Sequence, residues 1–329
     1  MIVLVRRCMK SRAVDTDADR RGSASWRGRL VFRRSTLSWQ HGAVAEPGGA
    51  AVTAGGGEPV RLASVDGLML DSRLHRPRAG SAGDRFGSVV LVHGIDTDMD
   101  EGGMYRRLAE RLATVGFGVL RFSFRGHGAS DGTQRGMTIA GEMLDLDAAV
   151  SRARAEFSGP LTVLASSFGA VSALESLRYL RPDRLVLWNP ILDVRRTFIE
   201  PELPWGRENF GPERWEAAMR DGALMIDDSF ELGRTALTEM SRYHPSGAFA
   251  ASTMPALVVH GELDTYVSYE IARDAARARA SDAPTEFHTV AGSDHGFDSR
   301  EREDEAITVT VEWLSRHDDD VSLSPAQAG

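Results

Sequence analysis

A serine flanked by small residues follows a short aliphatic run near the middle of the chain. Ala165 stands two positions before Ser167, and Gly169 stands two positions after it. This spacing is typical of a tight strand-to-helix turn that lifts a serine hydroxyl above a sheet, because nearby backbone leaves no room for larger side chains. Around Ser166 the equivalent positions hold a leucine and a phenylalanine, which are too large. The pattern therefore predicts Ser167 as a nucleophile.

A serine hydroxyl is a weak nucleophile near neutral pH, so it needs a base, and the base needs an orienting acid. Asp264 and His295 each follow an apolar strand pattern, and they occur after Ser167 in the order acid, then histidine. We predict that His295 shuttles the proton and that Asp264 holds and stabilises its imidazole. Asp294 is the nearest rival acid, but its position beside His295 disfavours it because neighbouring side chains usually diverge.

Two backbone N–H groups are candidates for stabilising an oxyanion. One belongs to Phe168, directly after the predicted nucleophile, and the other to Ile95, which follows the strand pattern Ser88–Val92 and a His-Gly turn. Donors at these two places form the oxyanion hole in this kind of strand-to-helix arrangement. The predicted chemistry is attack on a carbonyl group through a covalent acyl-serine intermediate.

The elements that must position these groups alternate between strands and helices. The dipeptide Asp66-Gly67 predicts a hairpin within residues 60–76. Apolar periodicity then predicts strands at 88–92, 118–122, 161–164, 184–188, 256–259 and 286–290, with helices near 104–115, 139–157, 269–280 and 307–314 and one after Ser167. Such alternation predicts an α/β fold with a mostly parallel sheet that has helices on both faces.

A segment at about 191–253 is rich in aromatic residues and interrupts this alternation after the strand pattern at 184–188, which is the sixth strand when the two strands of the hairpin are counted. Trp205, Phe210 and Trp215 from this segment, together with Val267, are the candidate substrate-pocket residues. The alternative is that the aromatic side chains only pack the segment onto the body of the protein.

The chain resembles an α/β-hydrolase of the serine-hydrolase type from about Val60 to Arg316. The resemblance rests on the turn around Ser167, on Arg125-Gly-His-Gly128, on the spacing of Gly261, Asp264 and Val267, and on Gly-Ser-x-His ending at His295. It implies the α/β-hydrolase fold, a Ser-His-Asp triad, and a lid formed by the insert at 191–253. Carboxylesterases, acyltransferases and peptidases share such a triad, so fold alone leaves these activities open.

A narrower resemblance concerns the fatty-acyl transferase of bacterial bioluminescence operons, a thioesterase acting on acyl chains. It rests on the absence of the usual first glycine of the turn, replaced by Ala165, and on the segment from Trp188 to Pro201. This resemblance implies a thioester substrate and favours a thioesterase. The expected ligand is a small-molecule ester or acyl thioester with an apolar acyl group, with coenzyme A or acyl carrier protein as candidate carriers. A non-catalytic protein that binds ligands under the lid is the competing class.

Composition sets the remaining expectations. Residues 1–60 carry ten Lys and Arg against five Asp and Glu, whereas the whole chain of 329 residues has a net charge of −8. An acidic body disfavours nucleic acid as a partner. Cys8 is the only cysteine, and no apolar run is long enough to span a membrane, so the expected location is the cytoplasm. We expect no cofactor and no metal, and composition leaves the oligomeric state open.

The domain organisation expected from these patterns has four parts. They are a disordered basic leader at 1–58, an α/β-hydrolase core at 59–190 and 254–318, a lid insert at 191–253, and a flexible tail at 319–329.

Overall fold

The computed structural model describes residues 56–78, 87–279 and 283–323, with side chains up to 317. The leader predicted at 1–58 therefore lies almost entirely outside the described residues. The last helix continues to Leu323, five residues into the predicted tail, and residues 324–329 also lie outside.

The first half of the described chain alternates strands and helices as the periodicity predicts. Its strands and helices, in chain order, are β1 (Glu58–Pro59), β2 (Leu62–Ala63), β3 (Met69–Leu70), β4 (Ser72–His75), β5 (Ser88–Val92), α1 (Met104–Val115), β6 (Gly118–Phe122), α2 (Ile139–Glu156), β7 (Leu161–Ser166), α3 (Gly169–Leu180) and β8 (Arg184–Trp188).

The second half contains an insert of short elements and then returns to the alternation. Its strands and helices are α4 (Pro204–Phe210), α5 (Pro212–Asp221), β9 (Ala223–Ile226), β10 (Phe230–Gly233), α6 (Arg234–Glu239), α7 (Pro245–Ala251), β11 (Ala256–Gly261), α8 (Tyr269–Ala278), β12 (Thr285–Val290) and α9 (Arg300–Leu323).

Eight strands form one sheet in the order β1-β4-β6-β5-β7-β8-β11-β12. The six strands from β6 to β12 in this order run parallel, and β4 and β1 add an antiparallel edge. Parallel strands present their carboxyl ends at one edge of the sheet, which is where open α/β sheets place their ligands. The loops after β5, β7, β11 and β12, which carry the predicted site residues, therefore meet at one edge.

Helices cover both faces of the sheet, and each strand divides its side chains between them. In β5, Val90 and Val92 join the core beneath α2 and α3, whereas Val89 and Leu91 join the core beneath α1 and α9. Alternation of this kind follows from the two-residue period of a strand. All five residues of β5 are buried, as expected where both faces of a parallel sheet are covered.

The insert between β8 and β11 forms a third apolar cluster at the carboxyl edge of the sheet. Phe198, Phe210 and Phe230 of the insert pack in one cluster with Ile95 and Phe168 of the core. The insert thus lies against the two loops that carry the candidate oxyanion donors.

The last helix differs most from its predicted range. α9 spans Arg300–Leu323, whereas the apolar stripe predicts only 307–314. Its first turn is polar and mostly exposed, so hydrophobic periodicity does not reveal where it begins. Within the described part of the chain, no helix is long and apolar enough to cross a membrane.

Candidate active site

The predicted nucleophile lies on a strained turn between β7 and α3. Ser167 has a φ of 47°, a left-handed conformation that non-glycine residues rarely adopt. Its N–H donates to the carbonyl of Trp188 at 2.9 Å, and its own carbonyl accepts from the N–H of Ile191 at 3.1 Å. A Cβ on Gly169 would lie 2.3 Å from the carbonyl oxygen of His93, so only glycine fits there. The small residue predicted two positions after the nucleophile is therefore required, because the backbone of His93 lies too close for any side chain.

The structure brings the three predicted residues into one hydrogen-bonded chain. Ser167 Oγ lies 3.0 Å from His295 Nε2, and His295 Nδ1 lies 2.7 Å from Asp264 Oδ2. Because an ionised carboxylate only accepts hydrogen bonds, the proton of neutral His295 belongs on Nδ1. Nε2 then accepts from the serine hydroxyl, which is the arrangement that a general base requires.

Four hydrogen bonds hold the Asp264 carboxylate. Oδ1 accepts from the N–H groups of Tyr266 and Val267, each at 2.8 Å, and Oδ2 accepts from His295 and from His260 Nε2 at 3.2 Å. Burial disfavours the charged form, but His295 and His260 outweigh it and hold the pKa of Asp264 far below its usual range. The site therefore contains a permanent negative charge beneath the imidazole.

The imidazole of His295 responds to this charge. Burial alone would lower its pKa, but the charge of Asp264 and the hydrogen bond to it raise the pKa of His295 above the ordinary value. A raised pKa means that the imidazolium is stabilised, which is what a base needs when it takes a proton from a serine.

Asp294, the rival acid, is occupied elsewhere. Its carboxylate accepts from the backbone N–H and hydroxyl of Thr265 and from the backbone N–H of His295. It therefore ties the two loops together through the backbone, while the imidazole bonds to Asp264.

The candidate oxyanion donors belong to loops on either side of Ser167. Phe168 is the N-cap residue of α3, so its N–H lies at a helix start, where backbone donors have no partner within the helix. Ile95 follows Gly94, and a Cβ on Gly94 would lie 3.3 Å from Cβ of Ser167. The loop that carries Ile95 thus lies directly against the nucleophile.

The predicted pocket residues of the insert reach the site through one ring. Trp205 stacks on Tyr266 with ring centroids 4.9 Å apart and planes 14° apart, and Tyr266 stacks on His295 at 4.9 Å and 6°. Phe210 is fully buried against Trp205, and Trp215 is partly buried in the same cluster. Val267, also buried there, donates its N–H to Asp264. These contacts place the predicted residues beside the site.

Sequence patterns did not indicate two side chains that touch the site. Tyr266 lies within the Gly-x-x-Asp-x-x-Val pattern, but its stacking on His295 depends on a distant loop. Glu101 ends a run of acidic residues (Asp96, Asp98, Asp100 and Glu101) that, from sequence alone, is typical of a solvated loop or helix start. Its carboxyl nevertheless points inward and bonds to Gly94 and Ser166. Among the residues that the structure describes, no group of His, Cys, Asp and Glu is arranged to hold a metal ion.

The other histidines of the strand-end loops have structural contacts. His93 Nδ1 bonds to the carbonyl of Gly94 at 2.7 Å, and its Nε2 accepts from the N–H of Phe124. His127 stacks on Phe230 of the insert. His260 differs because it supports Asp264 directly.

Comparison with known proteins agrees with this architecture. The sequence model of the alpha/beta hydrolase family matches residues 89–307, which is more than half of the chain. A search of curated proteins finds no match.

Solved structures with the same fold include three esterases. Est1E from Butyrivibrio proteoclasticus, with ferulic acid bound, aligns with a TM-score of 0.63 and 21% identity over 78% of this chain and 97% of that chain. A Pyrococcus furiosus esterase aligns with a TM-score of 0.59 and 22% identity over 79% and 90%. The esterase domain of a Rhodothermus marinus protein aligns with a TM-score of 0.58 and 19% identity over 79% and 98%. At these identities the alignments show the fold alone.

Proposed function

Because the chain belongs to the alpha/beta hydrolase family, we propose that it is a serine hydrolase that cleaves esters through an acyl-serine intermediate. The hydrogen-bonded chain from Ser167 through His295 to Asp264 carries this proposal. A binding protein would have no need for a strained serine with a base at 3.0 Å and a buried acid behind that base.

In the first half of the reaction, Ser167 Oγ attacks the substrate carbonyl while its proton moves to His295 Nε2. The negative charge that develops on the carbonyl oxygen is stabilised by the N–H groups of Ile95 and Phe168; such a donor is typically worth about 3 kcal/mol of barrier. His295 then gives its proton to the departing alkoxide or thiolate, and the acyl group stays on Ser167.

In the second half, water replaces the leaving group. His295 takes a proton from the water, the hydroxide attacks the acyl-serine, and the proton returns to Ser167 as the carboxylic acid leaves. Asp264 stays ionised throughout and stabilises the imidazolium in both halves. The insert acts as a lid in this proposal, and its aromatic cluster excludes water from the acyl group.

Carboxylic esters and thioesters are both substrates that this chemistry can process. The three aligned esterases favour carboxylic esters as the substrate class. The resemblance of the turn around Ser167 to the bioluminescence-operon transferase is the observation that keeps a thioesterase as the second candidate. The two candidates differ in the leaving group and share every residue of the mechanism.

The experiment that tests the proposal compares ester and thioester turnover in matched serine variants. Short- and long-chain p-nitrophenyl esters and acyl-coenzyme A thioesters are assayed with wild type, with Ser167→Ala, and with Ser151→Ala on an exposed turn of α2 as control. We expect turnover to vanish only in Ser167→Ala, and the preferred leaving group to identify the substrate class. Turnover that survives in Ser167→Ala would refute the assignment of the nucleophile.

A further inference from the structure

A buried carboxyl outside the proposed triad joins two segments that the mechanism uses. Glu101 Oε2 accepts the backbone N–H of Gly94 at 3.1 Å, and Oε1 accepts the hydroxyl of Ser166 at 3.1 Å. Gly94 directly precedes Ile95, and Ser166 directly precedes Ser167. One side chain therefore holds the loop with a candidate oxyanion donor and the turn with the nucleophile.

The carboxyl of Glu101 lies next to the place where the loop of Gly94 meets the turn of Ser167. A Cβ built on Gly94 would be 3.3 Å from Ser167 Cβ and 3.5 Å from Glu101 Oε1. The space beside Gly94 that a side chain would occupy is therefore bordered by both the nucleophile and the carboxyl. A change in the position of the carboxyl would be transmitted to both segments.

The backbone at Glu101, three residues before the start of α1, has an unusual conformation that sets the direction of the side chain. Glu101, Gly102 and Gly103 have φ values of 45°, 63° and 94°, so three consecutive residues adopt the left-handed conformation. A left-handed non-glycine residue costs about 1–3 kcal/mol and persists only where the surroundings impose it. At the second residue of α1, the hydroxyl of Tyr105 donates to the carbonyl of Val92 at 2.9 Å and anchors the helix start to the end of β5.

We propose that Glu101 is a positioning residue that sets the spacing between the oxyanion loop and the nucleophile by accepting one hydrogen bond from each. The inference rests on the proposed function, because it concerns the same acyl transfer. Oxyanion donors act only when both lie about 2.7–3.1 Å from one oxygen. Here one donor, Ile95, belongs to the loop after β5, which we call the oxyanion loop, and the other, Phe168, belongs to the turn after β7. A misplacement of about 1 Å at such a site can reduce the rate about a hundredfold.

The charge of Glu101 provides a second property by which this role can be tested. Burial raises the pKa of Glu101 to about 7, against the opposing effects of its two hydrogen bonds and of His295. The ionisable groups that interact with the carboxyl are His295 after β12, Asp98 of the oxyanion loop and Tyr105 of α1. When ionised, Glu101 adds to the negative charge that raises the pKa of His295.

Geometry and charge can be separated by two substitutions. Glu101→Ala removes both hydrogen bonds and the charge. In Glu101→Gln, the amide oxygen can accept from Gly94 and the amide nitrogen can donate to Ser166 Oγ, so the bridge survives without charge. Glu110→Gln on α1, away from the site, is the matched control.

The test measures kcat and KM for a p-nitrophenyl ester across pH, together with melting temperature. We expect Glu101→Ala to lower kcat at least about tenfold with KM within about threefold, and Glu101→Gln to restore kcat to within about threefold of wild type. Since Glu101→Gln removes a negative charge near His295, the acid limb of its kcat/KM profile should move to lower pH. Glu110→Gln should match wild type.

A kcat for Glu101→Ala within twofold of wild type would overturn the inference, as would equal losses in Glu101→Ala and Glu101→Gln. If Glu101→Ala does not fold, Ser166→Ala removes one arm of the bridge and should lower kcat by about threefold without changing KM; an unchanged kcat overturns the inference. Wild-type turnover that does not depend on Ser167 contradicts the proposed function and this role together. Turnover that depends on Ser167 but not on Glu101 overturns the inference alone.

Discussion

At the scale of single residues, Asp264 shows how the site keeps one carboxylate charged inside the protein. Two backbone N–H groups and two imidazoles satisfy its oxygens, and only 8% of the residue is exposed. A buried charge is tolerated when it is fully hydrogen-bonded and paired. Asp294, only one residue from His295, lacks any such contact with the imidazole because its oxygens are bound to Thr265 and to backbone.

Because only Asp264 bonds to the imidazole, we predict different effects for substitution of Asp264 and of Asp294. Asp264→Asn should lower kcat by roughly 10³–10⁴, because an amide that donates to His295 Nδ1 favours the wrong tautomer. Asp294→Asn, the matched control, keeps an oxygen acceptor for the backbone donors and should lose less than about tenfold. Steady-state ester hydrolysis measures both variants. A larger loss in Asp294→Asn than in Asp264→Asn would reverse the assignment of the acid.

The sequence could predict Ser167, Asp264 and His295 because each is marked by its immediate neighbours. Small residues surround the serine, and the acid and the histidine each follow a strand pattern and lie near glycines. Glu101 and Tyr266 could not be predicted in the same way. Their roles arise from contacts with Ser166 and His295, which are distant in the chain, and an acidic cluster near a helix start reads equally well as solvated surface.

At the scale of elements, α2 and α3 meet through a second buried carboxyl. Ser172 Oγ on α3 donates to Glu142 Oε2 on α2 at 2.6 Å, and both residues are almost fully buried. Burial, assisted by the neighbouring charges of Asp145 and Glu239, raises the pKa of Glu142 to about 8. The packing of these helices therefore favours a protonated glutamate at neutral pH.

The raised pKa makes the stability of this helix pair depend on pH. Because the pKa of this carboxyl is higher in the folded state than in the unfolded state, its contribution to the free energy of unfolding is complete below about pH 4.5. The contribution is lost as pH rises towards about 8. Glu142→Gln has no such carboxyl, so the difference in the free energy of unfolding between this variant and wild type should shift in favour of the variant by up to about 4 kcal/mol from pH 5 to pH 9. Urea unfolding at both pH values measures this, with exposed Glu312→Gln as control. A difference that does not change with pH would contradict the buried, protonated state.

The insert meets the proposed base through stacked rings. Trp205 at the start of α4 donates its indole N–H to Asp227 Oδ2 at 2.8 Å, and its ring lies on Tyr266, which lies on His295. An aromatic pair of this kind contributes about 0.5–1.5 kcal/mol. The imidazole is thus linked by stacked rings to an element that sequence periodicity identifies only as an interruption.

We expect this stack to matter for turnover more than for binding. Tyr266→Leu keeps the backbone N–H bond to Asp264 but removes the ring, and should lower kcat about threefold to tenfold. Tyr266→Phe keeps the ring and should stay within about twofold of wild type. The comparison requires kcat and KM for the same ester. Equal kcat values for the leucine and phenylalanine variants would show that the stack does not position His295.

The alternating elements themselves could be predicted to a large extent. The ranges of α1, β6 and β8 coincide with the predicted ranges because their apolar stripes end at the element boundaries. The short helices and the β9-β10 hairpin of the insert could not be predicted. Their apolar residues pack into a shared cluster with the core rather than onto a regular face, so no single period appears in the sequence.

At the scale of the whole molecule, the sheet order brings together loops that are far apart in the chain. β5, β7, β8, β11 and β12 lie in this order, so the loops after them share one edge. The described site residues lie between His93 and His295. The described part of the chain begins at Gly56, and the carbonyl of Gly56 accepts a hydrogen bond from Arg121 at 3.0 Å.

Removal of residues 1–55 tests whether the described part of the chain is sufficient for activity. We expect kcat/KM for a p-nitrophenyl ester to stay within about twofold of the full chain and the melting temperature to change by only a few degrees, because the hydrogen bonds that build the described site join residues within 93–295. A large loss of kcat/KM with an unchanged melting temperature would show that the leader contributes to the site.

Covalent labelling shows directly whether Ser167 is the nucleophile. A fluorophosphonate reacts with a serine only when a neighbouring base activates it, so the full chain is incubated with the probe and the modified peptide is identified by mass spectrometry. We predict a single stoichiometric adduct on Ser167, abolished in Ser167→Ala and strongly slowed in His295→Ala. An adduct on Ser166 instead, or unmodified Ser167 in protein that hydrolyses esters, would show that Ser167 is not the nucleophile.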